Sequence, residues 1–100
     1  MSAHTFRFSA KLQKFQEAGG WQFLVVPKSL AMQLRERYRP NHGGWGSLRV
    51  RATVGKTSWL TSIFWLKRGG YYLFIKKQVR EAEALRLGKL IKATVTLINV

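Results

Sequence analysis

The sequence predicts a mainly β fold, a small six-stranded split β-barrel with two short capping helices. Apolar residues recur at every second position through 6–12, 48–54 and 91–97, the period of a strand with one face in a core. Turn-forming segments such as Gly55-Lys56 and Lys67 to Gly70 separate the runs, and helical spacing is confined to two short stretches after Pro27 and Ile75. A sheet of this size removes its open edges best by curling on itself.

In the first run Phe6, Phe8, Ala10 and Leu12 alternate with Arg7, Ser9, Lys11 and Gln13, so the apolar set faces inward. Gly19-Gly20 turns the chain into Trp21 to Val26, a β-branched and aromatic strand stopped by Pro27. The two are expected to pair as a hairpin through Lys14 to Gly20. Between Lys28 and Arg39, Ala31, Leu34 and Tyr38 fall at helical spacing, with Lys28, Gln33, Arg35 and Arg37 facing away. Pro27 and Ser29 are start signals and Pro40 ends the helix; Asn41-His42-Gly43-Gly44 is a loop by composition.

From Ser47 the alternation returns, with Leu48, Val50, Ala52 and Val54 inward and Arg49, Arg51 and Thr53 outward. Gly55-Lys56 suits a type II′ hairpin into the strand Thr57 to Leu66, and Tyr71 to Ile75 is the next strand. Lys76 to Leu87 reads as a helix with Val79, Ala82 and Leu85 as its inner stripe and Gly88 as its stop. The final strand, Lys89 to Val100, turns Ile91, Ala93, Val95 and Leu97 inward and Lys92, Thr94 and Thr96 outward.

One domain spanning 1–100 is expected, without a linker or internal repeat. A chain this long buries roughly two-thirds of its unfolded surface, and 46% apolar residues supply a core. The absence of cysteine excludes disulfides, thiolate metal sites and thiol catalysis. No apolar run approaches the roughly 20 residues of a membrane span, and the N-terminus lacks the apolar block of an export signal, so a soluble, cytoplasmic protein is expected.

Three stretches carry a family resemblance: GGWQFLVVPKSLAMQLRE (19–36), GWGSLRVRATVG (44–55) and KKQVREAEALRLGKLIKATVTL (76–97). Their order and spacing resemble a bacterial family of small β-barrel proteins, the domain of unknown function numbered nineteen hundred and five. The resemblance implies a compact split barrel with two capping helices. It implies no catalytic residues, since the family's function is unassigned. The chain departs from the family pattern at Gly88-Lys89, where Gly-Asp is usual, and in its unusually basic balance.

That balance is extreme. Eighteen Lys and Arg stand against four acids, a formal charge of +14 on 100 residues. On a folded body it creates a field that concentrates polyanions. Any single cation is read most simply as solvated surface, but solubility alone does not require so many. The candidate nucleic-acid-binding residues are Arg7 and Lys11 on the first strand, Arg49 and Arg51 on the third, and Lys92 on the last. Arg35 and Arg39 on the first helix and the turn residues Lys67 and Arg68 complete the set. Trp45 and Tyr71, both near turns, are the candidate stacking or pocket aromatics, because exposed rings stack on bases while cations hold phosphates. Trp59 and Trp65 share strand parity, so both cannot lie outside unless the whole stripe does.

Enzymatic chemistry is not expected. Glu17, Glu36, Glu81 and Glu83 with His4 and His42 offer no pair suited to acid–base work. Two His without Asp or Cys make a poor metal site, and no cofactor is expected. Gly43-Gly44-Trp45-Gly46 leads into a strand with no Lys after it, unlike a phosphate loop opening a helix; there the glycines shape a tight entry and Trp45 plugs one barrel end. The expected function is a non-enzymatic nucleic-acid-binding module acting through phosphate contacts. RNA or single-stranded DNA is favoured, and duplex DNA is kept open by the basic first helix. The alternative is a protein-interaction or small-ligand module whose basic shell meets an acidic protein partner.

Overall fold

The computed structural model describes residues 4–16, 18–38, 46–66, 70–98 and 100. Strands β1 (Thr5–Lys11), β2 (Gln13–Lys14), β3 (Gln22–Val25), β4 (Ser47–Val54), β5 (Thr57–Leu66), β6 (Gly70–Phe74) and β7 (Leu90–Leu97) form one sheet in the order β1-β7-β4-β5-β6-β3-β2, and every pairing is antiparallel. Although β1 and β2 stand at opposite ends of this order, only Leu12 separates them in the chain. The sheet therefore curls until its two ends meet, giving a small split barrel as expected, with the two-residue β2 as a seventh strand beyond the six read from the sequence. Leu12 fixes the meeting point by donating its N–H to the Lys89 carbonyl (3.0 Å) and accepting from the Gly88 N–H (2.8 Å).

This topology corrects the expected hairpin between the first two strands. β1 pairs along its whole length with β7, from Thr5↔Thr96 to Lys11↔Leu90, and only Gln13 and Lys14 pair with Phe23 and Gln22. A long antiparallel partner for Phe6 and Phe8 lies at the far end of the sequence, where alternation alone carries no pairing information.

Alternation sets the interior. Leu24, Leu73, Ile63 and Leu48 stand side by side across β3, β6, β5 and β4, all essentially without solvent contact. A second row sets Phe6, Val95 and the small Ala52 beside the bulky Trp59. The β4–β5 turn takes positive φ at Gly55 (59°) but not at Lys56, the type II′ pattern.

Helix α1 (Lys28–Tyr38) buries Ala31, Leu34 and Tyr38 against the core, as its 3.6-residue spacing requires. The His4 Nδ1 and the Tyr38 hydroxyl are hydrogen-bonded at 2.7 Å, joining the approach to β1 with the end of α1.

Helix α2 (Lys77–Ala82) is shorter than expected, and Gly88 does not stop it. The chain leaves the helix through Ala84, at φ 52°. Leu85 N–H bonds to Arg80 carbonyl (2.9 Å) and Ala84 N–H to Glu81 carbonyl (3.3 Å), the paired bonds of a Schellman stop. Glu83 then anchors the exit, its Oε2 accepting from the Thr57 hydroxyl (2.6 Å) and the Lys56 N–H (3.3 Å). Of the expected inner stripe, Val79 is buried and Leu85 packs on the core, but Ala82, at the helix end, is exposed. Ala84 occupies the left-handed position that glycine adopts without strain, and it is exposed. Ala84→Gly is therefore expected to stabilise the protein by about 1 kcal/mol, read as a rise in the urea midpoint.

Among the described residues, no helix is long and apolar enough to cross a membrane.

Candidate functional site

The outer faces of β1, β7 and β4 gather the basic candidates. Arg7, Lys11, Arg49, Arg51 and Lys92 are all exposed, as strand parity predicts, and β7 lies between β1 and β4. Arg7 pairs across to Thr94, Thr94 to Thr53, Lys92 to Ser9 and Arg51 to Thr96. Neighbouring strands are about 4.8 Å apart and diagonal neighbours about 7–8 Å, so Arg7 and Lys92 lie within one phosphate's reach of each other. They share a groove of about 390 Å³ with Ser9, Thr53 and Thr94.

Between the cations the face is built of hydroxyls: Thr5 and Thr96 are hydrogen-bonded at 3.0 Å, Thr53 and Ser58 at 2.7 Å. No acid occurs on β1, β4 or β7. A sheet surface of Arg, Lys, Ser and Thr offers charge-assisted and neutral donors to anionic oxygens.

A second feature lies where the barrel is split. The β5–β6 ladder runs from Leu66↔Gly70 to Ile63↔Leu73; β6 also pairs with β3, from Tyr72↔Val25 through Phe74↔Phe23. Past Ile63 and Leu73 the two strands part around a cleft of about 390 Å³, lined by Trp21, Trp59, Leu60, Phe74 and the basic Lys76 and Lys77. Trp21 is 61% exposed and Leu60 52%. Arg80 reaches the same cleft, but one of its guanidinium nitrogens donates to the Ile75 carbonyl (2.8 Å). Leu60 is the direct cross-strand neighbour of Arg51. The cleft and the basic face are thus one continuous surface.

Tyr71 is not an exposed aromatic. It is 0% exposed, edge-to-face with Trp65 at 5.1 Å between ring centres. The cause is β6 itself, which is covered on both faces. Tyr71 and Leu73 join the barrel core, whereas Tyr72 and Phe74 sit in an outer aromatic cluster with Phe15, Phe23 and Phe64. The run Tyr71-Tyr72-Leu73-Phe74 does not alternate, the mark of a strand buried on two sides; proximity to a turn did not outweigh it.

Trp59 and Trp65 both face inward, Trp59 buried and Trp65 packed on the core. Arg35 does not point away from the body, as helical spacing suggested. It is half-buried with its guanidinium 4.0 Å from the centre of the Trp65 ring, a cation–π contact that ties α1 to the barrel mouth. Trp45, Arg39, Lys67 and Arg68, with the loop 41–44, lie outside the described residues.

Burial pushes the Tyr71 hydroxyl up to about 12 from 10.0, with Arg35 pulling weakly the other way. Below pH 10 folded and unfolded chains both hold the proton, and Tyr71's contribution is whole. Between pH 10 and about 12 only the unfolded chain releases it, so stability falls as pH rises, by up to about 1.4 kcal/mol per pH unit. Urea melts across that window should show Tyr71→Phe losing less stability than the parent; equal slopes would mean that Tyr71 does not titrate differently in the two states.

The exposed Trp21 is the aromatic that sequence reasoning missed. It follows Gly19-Gly20 and so meets the same near-turn criterion used for Trp45 and Tyr71, the signal that could have found it. β3 in fact begins one residue later, at Gln22.

Fold and surface together define a small split barrel with a continuous basic face and a cleft at its seam. The chain belongs to the family described as Domain of unknown function (DUF1905), whose pattern matches residues 8–95. No curated protein matches it.

Proposed function

We propose that this protein is a non-enzymatic nucleic-acid-binding module that acts through phosphate contacts and favours RNA or single-stranded DNA. One observation carries the reading: Arg7, Lys11, Lys92, Arg49 and Arg51 converge on the outer face of three adjacent strands that contain no acid. Mutual repulsion makes such a face costly for an isolated protein, and a polyphosphate chain relieves that cost by releasing its own counterions. The hydroxyls between the cations fit the same ligand, since Ser and Thr commonly contact backbone phosphates.

Fluorescence anisotropy with labelled single-stranded RNA, single-stranded DNA and duplex DNA, from about 50 to about 200 mM salt, tests it. Contact with about six phosphates predicts about a thousandfold loss of duplex affinity over that range. Binding weaker than about 10⁻⁴ M at the lowest salt falls below ordinary non-specific affinity and overturns the reading. The basic shell would then serve an acidic protein partner.

A further inference from the structure

We propose that the cleft at the barrel split receives one base of a bound single strand, stacked on Trp21, with the flanking phosphates held by Lys76 and Lys77 on one side and Arg51 on the other. This rests on the nucleic-acid reading above and assigns it a polarity of surface: phosphates along the sheet, a base at the seam.

The cleft combines aromatic and apolar walls with a cationic rim. Its walls are Trp21, Leu60 and Phe74, and its rim carries Lys76, Lys77 and Arg80. Apolar and aromatic walls under a cationic rim match a planar, π-faced group joined to an anion, which is a nucleotide. A volume of about 390 Å³ lies within the range that small-ligand pockets occupy, roughly 300–1,000 Å³.

Trp21 is held as a platform, not left as a loose surface ring. Phe74 meets it edge-to-face at 5.6 Å and 81°. On another side the indole rests over Gly19, where a side-chain carbon would lie 3.1 Å from Nε1. Gly19 has φ 79° as well, so both the turn and the close approach demand glycine. An aromatic group fixed from two sides yet 61% exposed loses little freedom on binding, which is what favours a stacking contact.

Continuity with the basic face supplies the strand's path. Arg51 and Leu60 are cross-strand neighbours, so a phosphate on Arg51 places the next base over Leu60 and into the cleft. A duplex keeps its bases stacked inside and cannot enter. The cleft therefore separates single strands from duplexes, whereas Arg7, Lys92 and Arg49 serve both.

The test compares the parent protein with Trp21→Ala and Trp21→Phe, titrated against a short labelled single strand and a duplex of the same length, with thermal melting as a check on folding. Trp21→Ala is expected to lose about tenfold in single-strand affinity, with duplex affinity and the salt dependence of both unchanged; Trp21→Phe, which keeps a ring, restores most of the loss. An equal effect of Trp21→Ala on both substrates, or none on either, would remove the base from the cleft while leaving the phosphate-contact reading intact. Failure of the parent protein to bind either substrate would overturn both. An unlinked nucleoside monophosphate that binds as tightly as the strand would assign the cleft to a free nucleotide and refute the strand.

Discussion

Val50→Asp is expected to abolish the folded state. Val50 is 0% exposed on β4, between Thr61 of β5 and Leu97 of β7, in the centre of the sheet. A carboxylate there has no partner, and an uncompensated buried charge costs about 3–5 kcal/mol. If it takes up a proton instead, a hydroxyl and a carbonyl remain in an apolar layer, and the lost contacts of the valine methyls add to the cost. A domain near 100 residues has a total stability of about 5–15 kcal/mol, so little or no margin remains. Circular dichroism should show no cooperative thermal transition for Val50→Asp. A folded, soluble variant would mean that the inward face of β4 is not the core.

Next to it on the chain, the opposite behaviour is expected. Arg49 and Arg51 flank Val50 but project from the other face, into solvent. Reversing both to Glu should leave the melting midpoint within a few degrees of the parent, because exposed substitutions change stability by about 0.5 kcal/mol or less. Polyanion binding should suffer heavily. Loss of two phosphate contacts lowers the slope of log affinity against log salt by about 1.8 on duplex DNA, equivalent to roughly sixtyfold at 0.1 M salt. Retention of affinity by Arg49→Glu/Arg51→Glu would move the interface off this face of the sheet. The pair of experiments uses adjacent residues to separate what folds the protein from what the protein touches.

Much of this architecture was legible because alternation is a strong signal where one face is wet. β1, β4 and β7 show it, and their inward and outward sets lie where the period put them: Val50 and Val95 inside, Arg7, Arg51 and Lys92 outside. What alternation cannot carry is the identity of the neighbour. Phe6 faces the same core whether its strand pairs with β3 or β7, so the hairpin expectation failed although the parity was right.

The signal also vanishes where both faces are covered, so the sequence around Tyr71 does not show that its ring is buried. Helix α2 failed for a different reason. Its residues have good helical propensity through Leu87, but Glu83 is drawn into hydrogen bonds with the β4–β5 turn, a tertiary contact that the local sequence does not announce. The cleft was invisible for the same kind of cause. It exists because β6 parts from β5 past Leu73 while β3 stays paired to it, and no residue in the sequence marks that divergence.

The place of β7 between β1 and β4 bears on how the chain reaches this state. The last strand lies between the first and the fourth, so a nascent chain that has emerged only as far as α2 holds two strands, β1 and β4, whose shared partner has yet to be made. The hairpin of β4 and β5 and its extension to β6 need only nearby residues and are free to form early. Closure waits for pairings such as Thr5↔Thr96, which span nearly the whole chain and are slow for that reason. During that interval the apolar faces of β1 and β4 and their unmet backbone edges are open to other chains. Cations on β1 and β4, such as Arg7, Arg49 and Arg51, are of like charge, and their repulsion opposes the approach of a second unfinished copy along these strands.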